Sequence, residues 1–313
     1  MNFILLKYFC QVKYIDFFVI KGYNKPMRKI IKFLILLLCI GVLVYNGNFL
    51  YHWYRENQAA TAEQDDAVAI FEKAQKSEET QLQEIEKKKA TLDKEEQDDE
   101  KIITSDTASP VAKAAAKARK EKRAKAKQEL AKLETEVKTK SFKQVKKKYN
   151  HIVGYLTVSG TNIKYFVTQY KDNSYYLTHS LNGQYNSAGN PFLDFRNKIS
   201  DTALVIYGHN RLDKSQFGSL KWVMGKPNTK ITFSNSEGSH EYKIFSTYII
   251  KNESYFNRVY FTDYSAFLKT ITNRSQYKYN VKVSSKDRIL TLSTCYGASY
   301  LNRRLVVHTK MIK

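Results

Sequence analysis

Cysteine is nearly absent from this chain, with three in 313 residues: Cys10, Cys39 and Cys295. Cys10 precedes the long apolar run and Cys39 lies inside it, so neither readily meets Cys295 across a membrane. That excludes a disulfide framework within one chain, and the lack of paired thiols gives no zinc-binding spacing. Residues 55–148 hold no glycine and a single proline, Pro110, which excludes a loop-rich segment there. Acidic residues are outnumbered, 30 Asp and Glu against 52 Lys and Arg, for a net charge of +22. Such a balance alone would point to nucleic acid or an anionic surface. Much of it sits in one low-complexity stretch, however, and no nucleic-acid-binding motif accompanies it, so nucleic acid is not read as a partner. No metal-ligand cluster or cofactor motif occurs, so neither metal nor cofactor is inferred.

Long apolar runs are limited to one. Residues 33–45, FLILLLCIGVLVY, are extended by Ile30, Ile31, Phe49, Leu50 and the aromatic Tyr51, Trp53 and Tyr54. Together they approach the roughly twenty residues that a membrane-spanning helix needs. Lys25, Arg28, Lys29 and Lys32 precede the run, which keeps the N-terminus cytoplasmic and exports the rest of the chain. No small-x-small site closely trails the apolar core, and Leu38 before Cys39 is too large for a lipoprotein site. The expectation is therefore an uncleaved, single-pass signal anchor over residues 27–54, with the remainder extracellular. Residues 1–26 precede a second methionine, Met27, which begins a basic segment of the usual kind. They read as an N-terminal extension from a misassigned start.

Residues 55–141 are rich in Ala, Glu, Lys and Gln, a helix-forming composition. Residues 63–100 are acid-rich and Lys113 to Lys148 mostly basic, with a break between two helical pieces at Pro110. Val68, Phe71, Leu82, Ile85 and Leu92 are too sparse for a continuous heptad seam. The segment is expected to be a charged, solvated helical stalk. Its end, near Phe142 and Val145, should pack on the C-terminal domain, residues 142–313.

From His151 the pattern turns to short strands: 152–158, 163–168, 203–207, 230–233, 242–250, 289–293 and 305–309. Turn sequences such as Ser159-Gly160-Thr161-Asn162, Asn182-Gly183 and Ser236-Glu237-Gly238-Ser239 separate them. Residues 264–273 read as a short helix with Thr262 or Asp263 as N-cap. The fold class expected is mostly β, a closed or nearly closed barrel with a few short helices.

Strand parity puts Leu290 and Leu292 on the core side and Thr291, Ser293 and Cys295 on the other, so Cys295 leaves the strand beside a polar row suited to a surface cleft. An unpaired thiol in an exported domain is an oxidation liability, which favours a use for it. His209 comes just after the apolar strand ALVIY, where Gly208 permits an unusual turn. His52, His151, His179, His240 and His308 have weaker contexts. Arg303 and Arg304 open the last strand and cannot both face one cleft; parity alone does not choose between them.

Taken together, TLSTC, YGHN and an arginine shortly after the cysteine resemble the signature of the sortases. IVGYLTVSGTNIKYFVTQ, KDNSYYLTHS, GNPFLDFRN and the helix FTDYSAFLKTI are similar to class B members, and the similarity spans about residues 142–313. The resemblance implies an eight-stranded barrel with a helix before the cysteine strand. It also implies a cell-surface cysteine transpeptidase that cuts a C-terminal sorting signal, typically NPQTN-like, and joins the protein to a peptidoglycan precursor or lipid-linked amine. It selects Arg304 over Arg303, with Cys295 as nucleophile and His209 as acid and base. It carries substrate contact to Asn173, Leu177, Tyr207 and Ser293. The implied partners are surface proteins bearing the sorting signal, the wall amine and the membrane. Alternatives are a pilin-polymerising sortase that uses a lysine acceptor, a hydrolytic cysteine endopeptidase and a non-catalytic surface adhesin. The papain-like order of cysteine before histidine is the reverse of the one here.

Overall fold

The computed structural model describes residues 25–251, 253–297 and 301–312; the expected extension 1–26 lies, up to residue 24, outside them. The chain divides into two compact units, Met1–Glu56 and Asn57–Lys313. Helix α1 runs Lys25–Thr104. In the first unit its apolar side chains are uncovered, Leu38, Leu43 and Val44 among them. This helix is long and apolar enough to cross a membrane.

In the second unit the remainder of α1 turns back through Ser105–Ser109 into α2 (Pro110–Val137). Ser109 caps α2 by accepting from the Ala112 amide, with Pro110 at the first helical position. The two helices run antiparallel, and ion pairs mark the register: Asp99 with Arg119 and Arg123, Glu100 with Lys120, Asp93 with Lys127, Glu134 with Lys89. The complementary charges of the two halves thus meet each other. A short helix, α3 (Lys140–Lys148), comes next.

Eight strands among the described residues close a barrel. They are β1 (Ile152–Val158), β2 (Lys164–Thr168), β3 (Phe192–Leu193), β4 (Ala203–Tyr207), β5 (Ile231–Asn235), β6 (Gly238–Lys251), β7 (Ile289–Tyr296) and β8 (Arg303–Met311), in the order β1-β2-β3-β4-β7-β8-β6-β5. Alternation fills the interior with Leu156, Val167, Leu204, Ile206, Phe233, Ile244, Leu290, Leu292, Leu305 and Val307; each such side chain is worth about 1.5–3 kcal/mol of transfer free energy. Helix α4 (Tyr264–Asn273), capped by Asp263, lies between β6 and β7 in sequence. It seals part of the outer face with Phe267, Leu268 and Ile271 against Ala203, Phe245 and Ile289.

The expected strands and helix are present, with three differences. β7 continues through Cys295 to Tyr296, and β8 begins at Arg303, because the ladder between them persists to Tyr296↔Arg303. β6 begins at Gly238, where a two-residue turn pairs Asn235 with Gly238; Gly238 has φ 127°, a conformation that favours glycine. β3 has only two residues, too few for any periodicity to show.

The segment expected as a solvated stalk is packed over part of its length. Ala67 and Phe71 join Phe142, Val145, Tyr149, Ile152, Phe166 and Leu181 in a second core on the outside of β1 and β2. Buried Gln64 extends the β2 edge, accepting from the Phe166 amide at 2.9 Å.

Candidate active site

The parallel pairing of β4 with β7 sets the site. Its last register pair is Tyr207↔Ser293, so His209 and Cys295 each lie two residues beyond it, at the same end of the barrel. Two further bonds carry the alignment past the strands. The Gly208 amide donates to the Ser293 carbonyl at 3.2 Å, and the Thr294 hydroxyl donates to the Gly208 carbonyl at 2.7 Å. Gly208 serves a close approach rather than the unusual turn expected. It lacks a positive φ, and a Cβ there would lie 2.8 Å from the Phe217 ring.

The antiparallel pairing of β7 with β8 supplies the guanidinium. Cys295 and Arg304 are direct register partners, and such partners share a face. Arg304 Nη1 donates to Cys295 Sγ at 3.4 Å. Arg303 is exposed and opposite Tyr296. The thiol is free and exposed.

His209 is half-buried and held from two directions. Its amide donates to Gln216 Oε1 at 3.0 Å and its carbonyl accepts from the Phe217 amide at 3.0 Å. Its Nε2 lies 2.9 Å from the Leu177 carbonyl. A carbonyl only accepts, so this contact assigns the proton to Nε2 and leaves Nδ1 as the ring's other site in the neutral form. The Cys295 and Arg304 side chains therefore touch, while the His209 ring, on the adjacent strand exit, bonds to Leu177.

The four positions assigned to substrate contact fall around this end. Leu177 ends a 3-10 turn, Tyr175–Leu177, and is 40% exposed. Asp172 organises that turn by accepting from the Ser174 and Tyr175 amides. Ser293 is fully buried, and its Oγ has no hydrogen-bond partner among the described residues. Asn173 and Tyr207 converge on a residue that sequence reading did not single out, Asp194, which is fully buried. Its Oδ2 accepts from Asn173 Nδ2 at 3.1 Å, from the Tyr207 hydroxyl at 2.9 Å and from Arg196 Nη2 at 2.8 Å. Burial opposes ionisation of Asp194, but the Arg196 guanidinium and amide and the Tyr207 hydroxyl outweigh it and hold the carboxyl below its usual range. Burial, then the Asp194 charge, push the Tyr207 phenol up.

The row shared by Thr291, Ser293 and Cys295 is not the open polar cleft expected, since only Cys295 is exposed. Thr291 is covered because α4 lies over the outer face here, with Phe267 and the outward Phe245 of β6 against His308, and its hydroxyl is 2.8 Å from His308 Nδ1. His308 is fully buried, with Nε2 2.8 Å from the Tyr248 hydroxyl, and burial lowers its pKa to about 3. It is a core histidine.

Gln216 was also missed. Buried and at φ 46°, it accepts from the His209 amide and donates to the Ala188 carbonyl. Asp194 had a faint sequence signal, an aspartate two residues before an arginine within GNPFLDFRN. A loop glutamine has none.

A closed barrel that brings a thiol and a guanidinium together, with a histidine on the neighbouring strand exit, defines a cysteine-centred enzyme. The sortase-domain family model matches residues 156–312, and the chain belongs to the sortase family, whose members are cysteine transpeptidases. Sortase B of Listeria monocytogenes is 37% identical over 181 residues, covering 55% of this chain and 74% of that protein. Sortase B of Staphylococcus aureus is 34% identical over 182 residues, covering 55% and 75%. The solved Staphylococcus aureus sortase B–substrate complex superposes with a TM-score of 0.51 at 33% identity, covering 55% of this chain and 85% of that one. The chain is thus a class B sortase with, among the described residues, one apolar helix that fits single-pass membrane anchoring.

Proposed function

We propose that this sortase cleaves an NPQTN-like C-terminal sorting signal on surface proteins and attaches them to an amine of peptidoglycan or its lipid-linked precursor. The observation that carries the reading is the Arg304–Cys295 contact, 3.4 Å across a register pair, at the barrel end where His209 emerges.

Cys295 as thiolate attacks the carbonyl carbon of the signal's threonine. Charge moves to the carbonyl oxygen, and Arg304, a fixed cation with several donors, stabilises it there. The C–N bond breaks as His209, in its imidazolium form, protonates the departing nitrogen, leaving a thioacyl enzyme. An incoming amine attacks the thioester, His209 takes the amine's proton, and the new amide forms as thiolate is released. Asn173, Leu177, Tyr207 and Ser293 are the substrate contacts in this reading. The Ser293 hydroxyl, without a partner among the described residues and two residues before the nucleophile on the same face, supports substrate contact there, because a buried hydroxyl without a partner is costly until one arrives. Lys25, Arg28, Lys29 and Lys32, in the first turns of α1 before its apolar run, support a cytoplasmic N-terminus and an extracellular catalytic domain.

The test is chromatographic: the full chain in detergent micelles is given an NPQTN-containing peptide with and without an oligoglycine amine. Cleavage between threonine and asparagine, with the amine-joined product when the amine is present, is expected. Cleavage that yields only the free acid at all amine concentrations would reject transpeptidation to such acceptors.

A further inference from the structure

We infer that the start of α1 beyond Glu56, residues Asn57 to Phe71, is a positioning element for His209, so that this helix belongs to the active-site apparatus and is not a spacer. The inference rests on the reading of His209 as the proton carrier.

His209 has no strand ladder of its own. Its backbone depends on the segment 208–217, through Gln216 and Phe217, and its ring depends on the segment 172–190, through the Leu177 carbonyl. Surface connections of this kind open at low cost unless something ties them down. The same helix ties both. Asn57 Oδ1 accepts from Arg211 Nη2 at 2.6 Å, two residues after His209, and the same guanidinium spans its own loop to the Ser215 hydroxyl at 2.9 Å. Almost two turns further, the Glu63 carboxylate accepts from the Asn182 amide at 3.1 Å and the Ser180 hydroxyl at 3.2 Å, closing the turn beyond Leu177. Gln64 Nε2 donates to Asn190 Oδ1 at 2.7 Å at the far end of that segment. Ala67 and Phe71 then pack on Phe166 and Leu181.

The positions 57, 64, 67 and 71 repeat at helical spacing, so one face of one helix meets the loop that carries His209 and the loop that orients its ring. Gln216 joins the two loops directly, from the His209 amide to the Ala188 carbonyl. Helix, loops and glutamine form a closed bracket around one imidazole. Asn57 and Glu63 are half-buried at its rim, so truncating them loosens the loops without opening the core.

The experiment compares full-length protein in micelles with the double variant Asn57→Ala/Glu63→Ala and, as a control, Glu78→Ala. Glu78 is on the same helix but accepts from the Ser141 amide and hydroxyl, away from both loops. Three readouts are taken: kcat and KM for peptide cleavage, the melting temperature, and the pH dependence of Cys295 alkylation by iodoacetamide, located by peptide mapping. Because small misplacements of a catalytic group are expensive, the double variant should lose about tenfold in kcat with KM within about twofold. Its alkylation profile should shift, whereas Glu78→Ala should melt earlier yet keep both kcat and profile. Asn57→Asp, which retains an acceptor for Arg211, should keep most of the activity. The inference is overturned if the double variant matches the parent in kcat and alkylation, or if both variants lose activity in step with melting temperature. Should the parent cleave no such peptide, the substrate reading fails and the alkylation profiles alone decide the inference.

Discussion

Arg304 and Cys295 are direct partners near the end of the β7–β8 ladder, with guanidinium and sulfur 3.4 Å apart. A register pair is a rigid way to hold two groups, since each side chain's direction is set by its strand. Arg303, one residue earlier, faces the other way. Arg304→Ala should therefore lower kcat/KM by about 10²–10³-fold, the scale of losing an oxyanion donor. Arg304→Lys should recover only part, because a single ammonium does not reproduce the planar fork. Arg303→Ala should behave as the parent. Steady-state cleavage of the sorting peptide by the three variants measures this.

Gln216 is the residue whose loss should most resemble loss of His209 without touching the ring. Gln216→Ala leaves the His209 amide and Ala188 carbonyl without their partner, a cost of about 1–3 kcal/mol for each buried group left unsatisfied. Melting temperature should fall, and kcat should fall more than KM rises. A variant with parental kcat would show that the His209 backbone is set elsewhere.

Asp194 gathers Asn173 and Tyr207, so Asp194→Asn should act on substrate binding more than on chemistry. KM should rise by several-fold, roughly the effect of about 1 kcal/mol, with a smaller change in kcat. Because the folded carboxyl titrates below its unfolded value, its contribution to stability is present above the unfolded pKa of about 3.9 and is lost as pH falls through the folded pKa. Denaturant titrations of both proteins at pH 7 and pH 3.5 read this out: the parent should lose more stability on acidification than the variant.

His308 sets a second acid dependence over a different window. Its pKa falls from an ordinary value near 6.5 to about 3 in the fold. Between those values the unfolded chain takes up a proton that the folded chain refuses, so stability is lost as pH is lowered, by up to about 1.4 kcal/mol per unit. His308→Gln, which can still pair with Thr291 and Tyr248, should flatten the slope between pH 6.5 and 4. Urea unfolding across that range checks it, and an unchanged slope would assign the acid sensitivity to other groups.

Much of this was legible in the chain. The alternation in 289–295 and the apolar run 203–207 placed Cys295 near the end of one strand and His209 just past another, and Asp263 before YSAFLKTITN marked the helix start. What escaped was non-local. Thr291 and His308 read as polar strand positions, yet they face each other beneath α4, which joins the barrel from a different part of the chain. Gln64, Glu63 and Glu78 read as solvated stalk residues because their partners, Phe166, Asn182 and Ser141, lie 63 to 119 residues away. Gln216 and Asp194 act through backbone atoms and buried hydroxyls that no periodicity announces.

In the proposed reaction Cys295 carries the acyl group. Full-length protein is mixed with an NPQTN-containing peptide in the absence of amine, quenched in acid, digested and mapped by mass spectrometry. A thioester between the signal's threonine and Cys295, discharged on adding oligoglycine and absent from Cys295→Ala, is expected. Peptide cleavage that persists in Cys295→Ala, or an acyl group mapped to any other residue, would contradict it.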